Sequence, residues 1–111
     1  MFHYDPAEFK GVPRALFCKA MNAEGIPCSS GYVPLYKEEF MQPDPEEYPW
    51  LEGRDYAGMC LPACERACYE EGCWMYQSTL LAEQEDMDQI ADAVMKIREN
   101  LPELKKAAAE E

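Results

Sequence analysis

Four of the nine prolines fall between positions 34 and 49 of this 111-residue chain. Proline lacks an N–H and fixes φ, so Pro34, Pro43, Pro45 and Pro49 exclude a regular helix or a central strand there. Val33-Pro34-Leu35-Tyr36 reads as a turn, because Pro34 restricts the residue before it. Residues 41–58 read as one long acidic loop, expected to be pinned by Tyr48, Trp50 and Tyr56. Loops of that length are often functional or interfacial, so this segment is expected to lean on something else. Regular structure must come from the two flanks.

The N-terminal flank opens with a short strand at Phe2-His3-Tyr4, and Phe9 is expected in the core. Pro13 suits the start of a helix. Leu16, Phe17, Ala20 and Met21 repeat at three- and four-residue steps and give that helix one apolar face. Gly25 stops it and Pro27 prevents its resumption. Cys28 to Tyr32 is then extended. In the C-terminal flank a helix is expected from about Pro62 to Glu71, ended by Gly72. A strand follows from Cys73 to Gln77, with Trp74 and Tyr76 on one face.

The clearest element is a helix carrying the stripe Met87, Ile90, Ala91, Val94, Ile97 and Leu101. Glu83, Glu85 and Asp86 at its start and Lys96 and Arg98 near its end suit the helix dipole. Asn100 with Glu103 reads as a fresh cap for a last short helix over Pro102 to Ala109. The order strand, helix, strand, helix, strand, helix implies one α+β domain over residues 1–111. Its sheet is expected to be small and mostly antiparallel, with about three strands covered by helices.

Ten Lys and Arg against 22 Asp and Glu give a formal net charge of -12. Nucleic-acid binding and anionic membrane surfaces draw on basic groups, so neither is an expected partner. No stretch approaches the roughly 20 apolar residues of a membrane-spanning helix. The first ten residues hold His, Asp and Glu where a secretory signal needs an unbroken apolar run, so a cytoplasmic location is expected. The charge serves solubility, or alternatively an acidic face for a basic partner.

Six cysteines without a secretory signal argue against a disulfide framework. Cys60, Cys64 and Cys68 stand four apart, on one stripe of a helix, and are expected to pack as small apolar groups. Metal ligation by these three is the alternative; they contain no C-x-x-C pair, and the single histidine, His3, is remote in sequence.

A self-contained enzyme needs a convergent nucleophile, base and charge stabiliser, or a cofactor site. The chain has no glycine-rich phosphate loop, no G-x-S-x-G and no histidine dyad. Its lysines (Lys10, Lys19, Lys37, Lys96, Lys105, Lys106) fall on helix faces or loops, where solvation is the expectation. No catalytic, cofactor-binding or metal residue is therefore assigned.

Arg14, Phe17, Ala20, Ala23-Glu24-Gly25-Ile26-Pro27 and Gly31-Tyr32-Val33-Pro34-Leu35-Tyr36 together form an ordered pattern. It continues in Pro62-Ala63-Cys64-Glu65-Arg66, in Trp74 to Leu81 and in Asp86-Met87-Asp88-Gln89-Ile90. This pattern resembles the C-terminal small domain of the DegT/DnrJ/EryC1/StrS aminotransferases, which use pyridoxal phosphate (PLP) to aminate keto-sugars and keto-cyclitols. The resemblance covers about Phe9 to Leu104 and implies the small-domain fold of fold-type-I PLP enzymes. It also implies that the large domain, with its Schiff-base lysine, has no counterpart here. On that reading the chain binds no cofactor by itself, and PLP belongs to the full-length family.

Two kinds of partner follow: the large domain, or a second copy met through an exposed apolar face. Tyr32 and Tyr36, flanking the Val33-Pro34-Leu35 turn, and Gln77 are the substrate-binding candidates that the resemblance implies. Trp50 and Trp74 are expected to anchor the loop and the sheet. The alternatives are a stand-alone acidic protein-binding or regulatory module, and a cysteine-ligated metal protein.

Overall fold

The structure is a computed structural model, and it describes residues 1–109. Tyr4, Phe9 and Phe17 form its nucleus, with ring centroids 4.8 to 5.1 Å apart. The Tyr4 hydroxyl donates to the Val12 carbonyl at 2.7 Å, so the buried ring carries no unsatisfied polar atom. Val12, Cys18, Met21, Cys28, Cys73, Ala93, Ile97 and Leu101 complete the core.

Helix α1 (Arg14–Ala23) supplies Phe17, Cys18 and Met21 to that core at helical spacing. Pro13 occupies its N-cap. Gly25, at φ 84°, turns the chain away after its last turn. The Arg14 guanidinium reaches from this helix to the carbonyls of Cys68 and Gly72, at 2.8 Å each.

Strand β1 (Phe2–His3) pairs antiparallel with β2 (Gly72–Cys73), Phe2 opposite Cys73 and His3 opposite Gly72. The expected three-strand sheet is thus a two-strand sheet of very short strands. Its third member, the segment after Cys28, makes a single antiparallel bridge, Ser29 opposite Trp74. Pairing ends there because Gly31 takes φ 78° and the chain leaves the sheet plane. The strand expected through Gln77 stops after Cys73, and Gln77–Leu81 is a 3-10 turn.

Helix α2 (Pro62–Arg66) is also shorter than expected, since residues Ala67–Glu71 widen into a π-turn. The Gly72 N–H closes that turn on the Ala67 carbonyl. A Cβ at position 72 would lie 2.7 Å from that oxygen, so the glycine permits the approach.

Helix α3 (Gln84–Glu99) packs against α1 with Ala93 and Ile97 buried. Glu83 and Asp86 form a reciprocal capping box at its start. Lys96 to Glu24 and Arg98 to Glu8, both 2.7 Å, tie its far end to the N-terminal flank. Asn100 does not open the last helix with its side chain; its amide donates back to the Lys96 carbonyl at 2.7 Å. Helix α4 (Leu101–Ala109) follows directly and buries Leu101. No helix among the described residues is long and apolar enough to cross a membrane.

Residues 29–71 contribute almost nothing to this core; Pro34 is their one buried residue among those described. Three 3-10 turns (Leu35–Lys37, Glu39–Met41, Pro49–Leu51) punctuate the segment, as its prolines require. Polar contacts hold it. Lys37 Nζ donates to the carbonyls of Ala57 and Met59, and Gln42 bridges the Tyr36 and Glu38 carbonyls and the Ala57 N–H. Trp50 does not anchor it: the ring is 74% exposed and meets only Tyr48 edge-on among the described aromatic rings. The radius of gyration, 18.3 Å, far exceeds the about 13 Å of a compact chain of this length.

Candidate functional site

The bridge between Ser29 and Trp74 sets the floor of the largest cleft described. The Ser29 N–H donates to the Trp74 carbonyl at 3.0 Å, and the Trp74 N–H returns the bond at 2.8 Å. From that pair the two backbones diverge, one through Gly31 and Tyr32, the other through Met75, Tyr76 and Gln77. The opening between them, about 420 Å³, is lined by Ser29, Gly31, Tyr32, Trp74, Met75, Tyr76 and Gln77. Such a volume suits one small polar molecule.

Each wall has a local cause. Gly31 carries no side chain where a Cβ would overlap the Trp74 indole, so the ring lies directly over the backbone. Tyr32 then meets Trp74 edge-on, centroids 5.2 Å apart at 82°. Met75, on the opposite face of its segment, packs against the core and fixes the strip from below. The cleft therefore combines an indole and two phenols with a hydroxyl from Ser29 and an amide from Gln77. That set can hold a ring compound by its apolar faces while bonding its hydroxyls.

Of the three sequence candidates, Tyr32 and Gln77 come together in this cleft and Tyr36 does not. The Tyr36 hydroxyl donates to Glu65 Oε1 at 2.7 Å and accepts the Leu61 N–H at 3.2 Å. Loss of solvent and the Glu65 carboxylate push its phenol up to about 12. Lys37 stands 3.8 Å from the same carboxylate. Tyr36 thus knits the proline-rich segment to α2.

Ser29 and Tyr76 escaped the sequence reading as lining residues. The alternation Trp74, Tyr76 placed both rings on one face, but nothing local showed that Ser29 would face them.

The cysteine stripe also differs from expectation. Cys60 lies exposed ahead of α2, while Cys64 and Cys68 are half-buried on either side of the widening into the π-turn. The three do not form one packed helical face. Instead Cys18, Cys28 and Cys73, from three separate segments, converge in the core with all three sulfurs within 4.8 Å of one another.

Three proteins similar to this chain carry one name, "Putative L-glutamine:3-amino-2,3-dideoxy-scyllo-inosose aminotransferase". The Streptoalloteichus tenebrarius protein is 33% identical over 95% of this chain, and that of Micromonospora echinospora 30% over 96%. The Streptomyces kanamyceticus protein is 32% identical over 97%. The chain spans about a quarter of their length, 27% in each case. No family model and no solved structure matches the chain.

Proposed function

We propose that this chain is the C-terminal small domain of a PLP-dependent aminotransferase of the DegT/DnrJ/EryC1/StrS type, acting on a keto-cyclitol. The observation that carries the proposal is the alignment: nearly the whole chain matches about a quarter of three aminotransferases named for a scyllo-inosose substrate. Two physical features support it. The chain is too extended for its length, and large side chains such as Phe40, Trp50 and Leu81 are each 74% exposed. Apolar surface of that kind calls for a covering partner, and the rest of an aminotransferase is a fitting one.

The cofactor does not fit the residues present. The cleft is lined by no lysine, and Lys10, Lys19, Lys37, Lys96, Lys105 and Lys106 all stand exposed. Without a desolvated amine there is no group suited to an imine with PLP. The chain's share is binding and orientation. Tyr32 and Ser29 offer hydroxyls and Gln77 an amide to the ring hydroxyls of a cyclitol, while Trp74 gives its apolar C–H face a flat surface. Closing such a cleft over the substrate would exclude water from the reacting centre.

The test is the reading frame upstream of the Met1 codon. An uninterrupted frame encoding a large α/β domain with a cofactor lysine is expected. A stop codon followed by a ribosome-binding site directly before Met1 would overturn the proposal as a description of this chain's working form.

A further inference from the structure

We infer that the core thiols Cys18, Cys28 and Cys73 form a three-coordinate binding site for a soft monovalent cation, Cu(I). The Cys18 sulfur lies 3.7 Å from that of Cys73 and 3.7 Å from that of Cys28, and the third separation is at most 4.8 Å. With a metal–thiolate bond of about 2.3 Å, sulfurs in a trigonal plane stand about 4.0 Å apart and those of a tetrahedron about 3.8 Å. To close on one ion in a trigonal plane, two edges open by about 0.3 Å and the third shortens by at most about 0.8 Å.

The fold builds this convergence deliberately. The Asn22 side-chain amide donates to the Cys18 carbonyl and the Cys28 carbonyl, 2.6 Å each, stapling the segment after α1 back onto the helix. The pairing of β2 with β1 brings Cys73 in from the other side. The donor set decides the ion. Three sulfurs and no oxygen favour a soft metal. Among the described residues no fourth His, Cys, Asp or Glu joins the group, which disfavours structural zinc with its four ligands.

Charge points the same way. Arg14, one turn before Cys18 on α1, is half-buried, and its Nε has no hydrogen-bond partner among the described residues. Cu(I) binding displaces whatever protons the three thiols carry as the tris-thiolate forms. No change of oxidation state is involved. Cys18 and Cys28 retain 6% and 7% exposure, whereas Cys73 has none.

The test uses the 111-residue chain carrying C60S, C64S and C68S, so that the remaining three cysteines are the core trio. Reduced protein is titrated under argon with Cu(I) supplied as its bicinchoninate complex. The expected result is uptake of one Cu(I) per chain, with an X-ray absorption spectrum showing three sulfurs at about 2.3 Å. Adding Cys28→Ser, with folding verified by circular dichroism, should cut uptake by at least tenfold. No uptake by the triple variant would overturn the inference, as would full uptake after Cys28→Ser in a folded chain. A spectrum with two sulfurs only would overturn the three-coordinate assignment.

Discussion

Gly31 leaves the space that the Trp74 indole occupies: a Cβ at position 31 would overlap both Nε1 and Cδ1 of that ring. The two residues sit on facing segments whose pairing has just ended at Ser29 and Trp74. The relationship makes the cleft wall dependent on a single absent side chain.

Gly31→Ala is accordingly expected to be costly twice over. The residue holds φ 78°, a region that costs an L-residue about 1–2 kcal/mol, and the methyl must also displace the indole. In a Trp50→Phe background the remaining tryptophan fluorescence reports Trp74 alone. A shifted emission maximum together with a lowered urea midpoint is expected. An unchanged spectrum would show that the ring does not lie over Gly31.

The alkaline limit of stability should depend on Tyr4. Burial, the neighbouring Cys73 and Cys18 sulfurs and Asp5 push its phenol up to about 12. The unfolded chain ionises near 10, so above that pH the folded state holds more protons and stability falls. The contribution is therefore fully present below about pH 10 and lost as pH rises through about 12. Tyr4→Phe removes part of that slope. At neutral pH it costs about 1–2 kcal/mol, because the Val12 carbonyl loses its donor. Urea unfolding of both proteins between pH 8 and 11 measures both effects.

Arg14 connects α1 to the π-turn and β2 through two carbonyls 2.8 Å away. Arg14→Met keeps most of the stem and removes both bonds, at an expected cost of about 2–3 kcal/mol. Amide exchange at Tyr4, whose N–H donates to the Glu71 carbonyl at 2.7 Å, should accelerate with it. Protection unchanged at Tyr4 would mean that the β1–β2 pairing does not rely on the clamp.

How much of this could be read from residue order depends on the range of the force involved. Helices α1 and α3 announce themselves because periodic apolar residues at one spacing must share a face, and the prolines of 34–49 forbid regular structure by local sterics alone. The strand positions were legible but their lengths were not, since pairing needs a neighbour, and Gly31 and the 3-10 turn at Gln77 withdraw it. The cysteines show the sharpest contrast. Cys60, Cys64 and Cys68 have helical spacing, but Cys60 lies ahead of α2, so only Cys64 and Cys68 stay together. Cys18, Cys28 and Cys73 have no spacing in common and meet only through tertiary packing. Tyr32 and Gln77 likewise meet by fold alone.

Self-association should expose what the long segment lacks. Phe40 and Trp50 are each 74% exposed, and Tyr48 is 44% exposed beside Trp50. The 111-residue chain is expected to sediment with a concentration-dependent mass, and Phe40→Ser with Trp50→Ser to shift it toward the monomer without a change in helix content. A strictly monomeric parent chain at all concentrations would contradict this.

The most direct measurement is a replacement. In the Streptoalloteichus tenebrarius relative, the segment aligned with this chain is exchanged for it, and glutamine-dependent amination of a keto-cyclitol is followed. A folded chimera that still transfers the amino group is expected. Gln77→Ala and Tyr32→Phe should each raise KM about tenfold, the worth of one lost hydrogen bond, whereas Tyr36→Phe should leave KM nearly unchanged. A folded, cofactor-loaded chimera with no transfer, or one indifferent to both cleft substitutions, would contradict the proposed function.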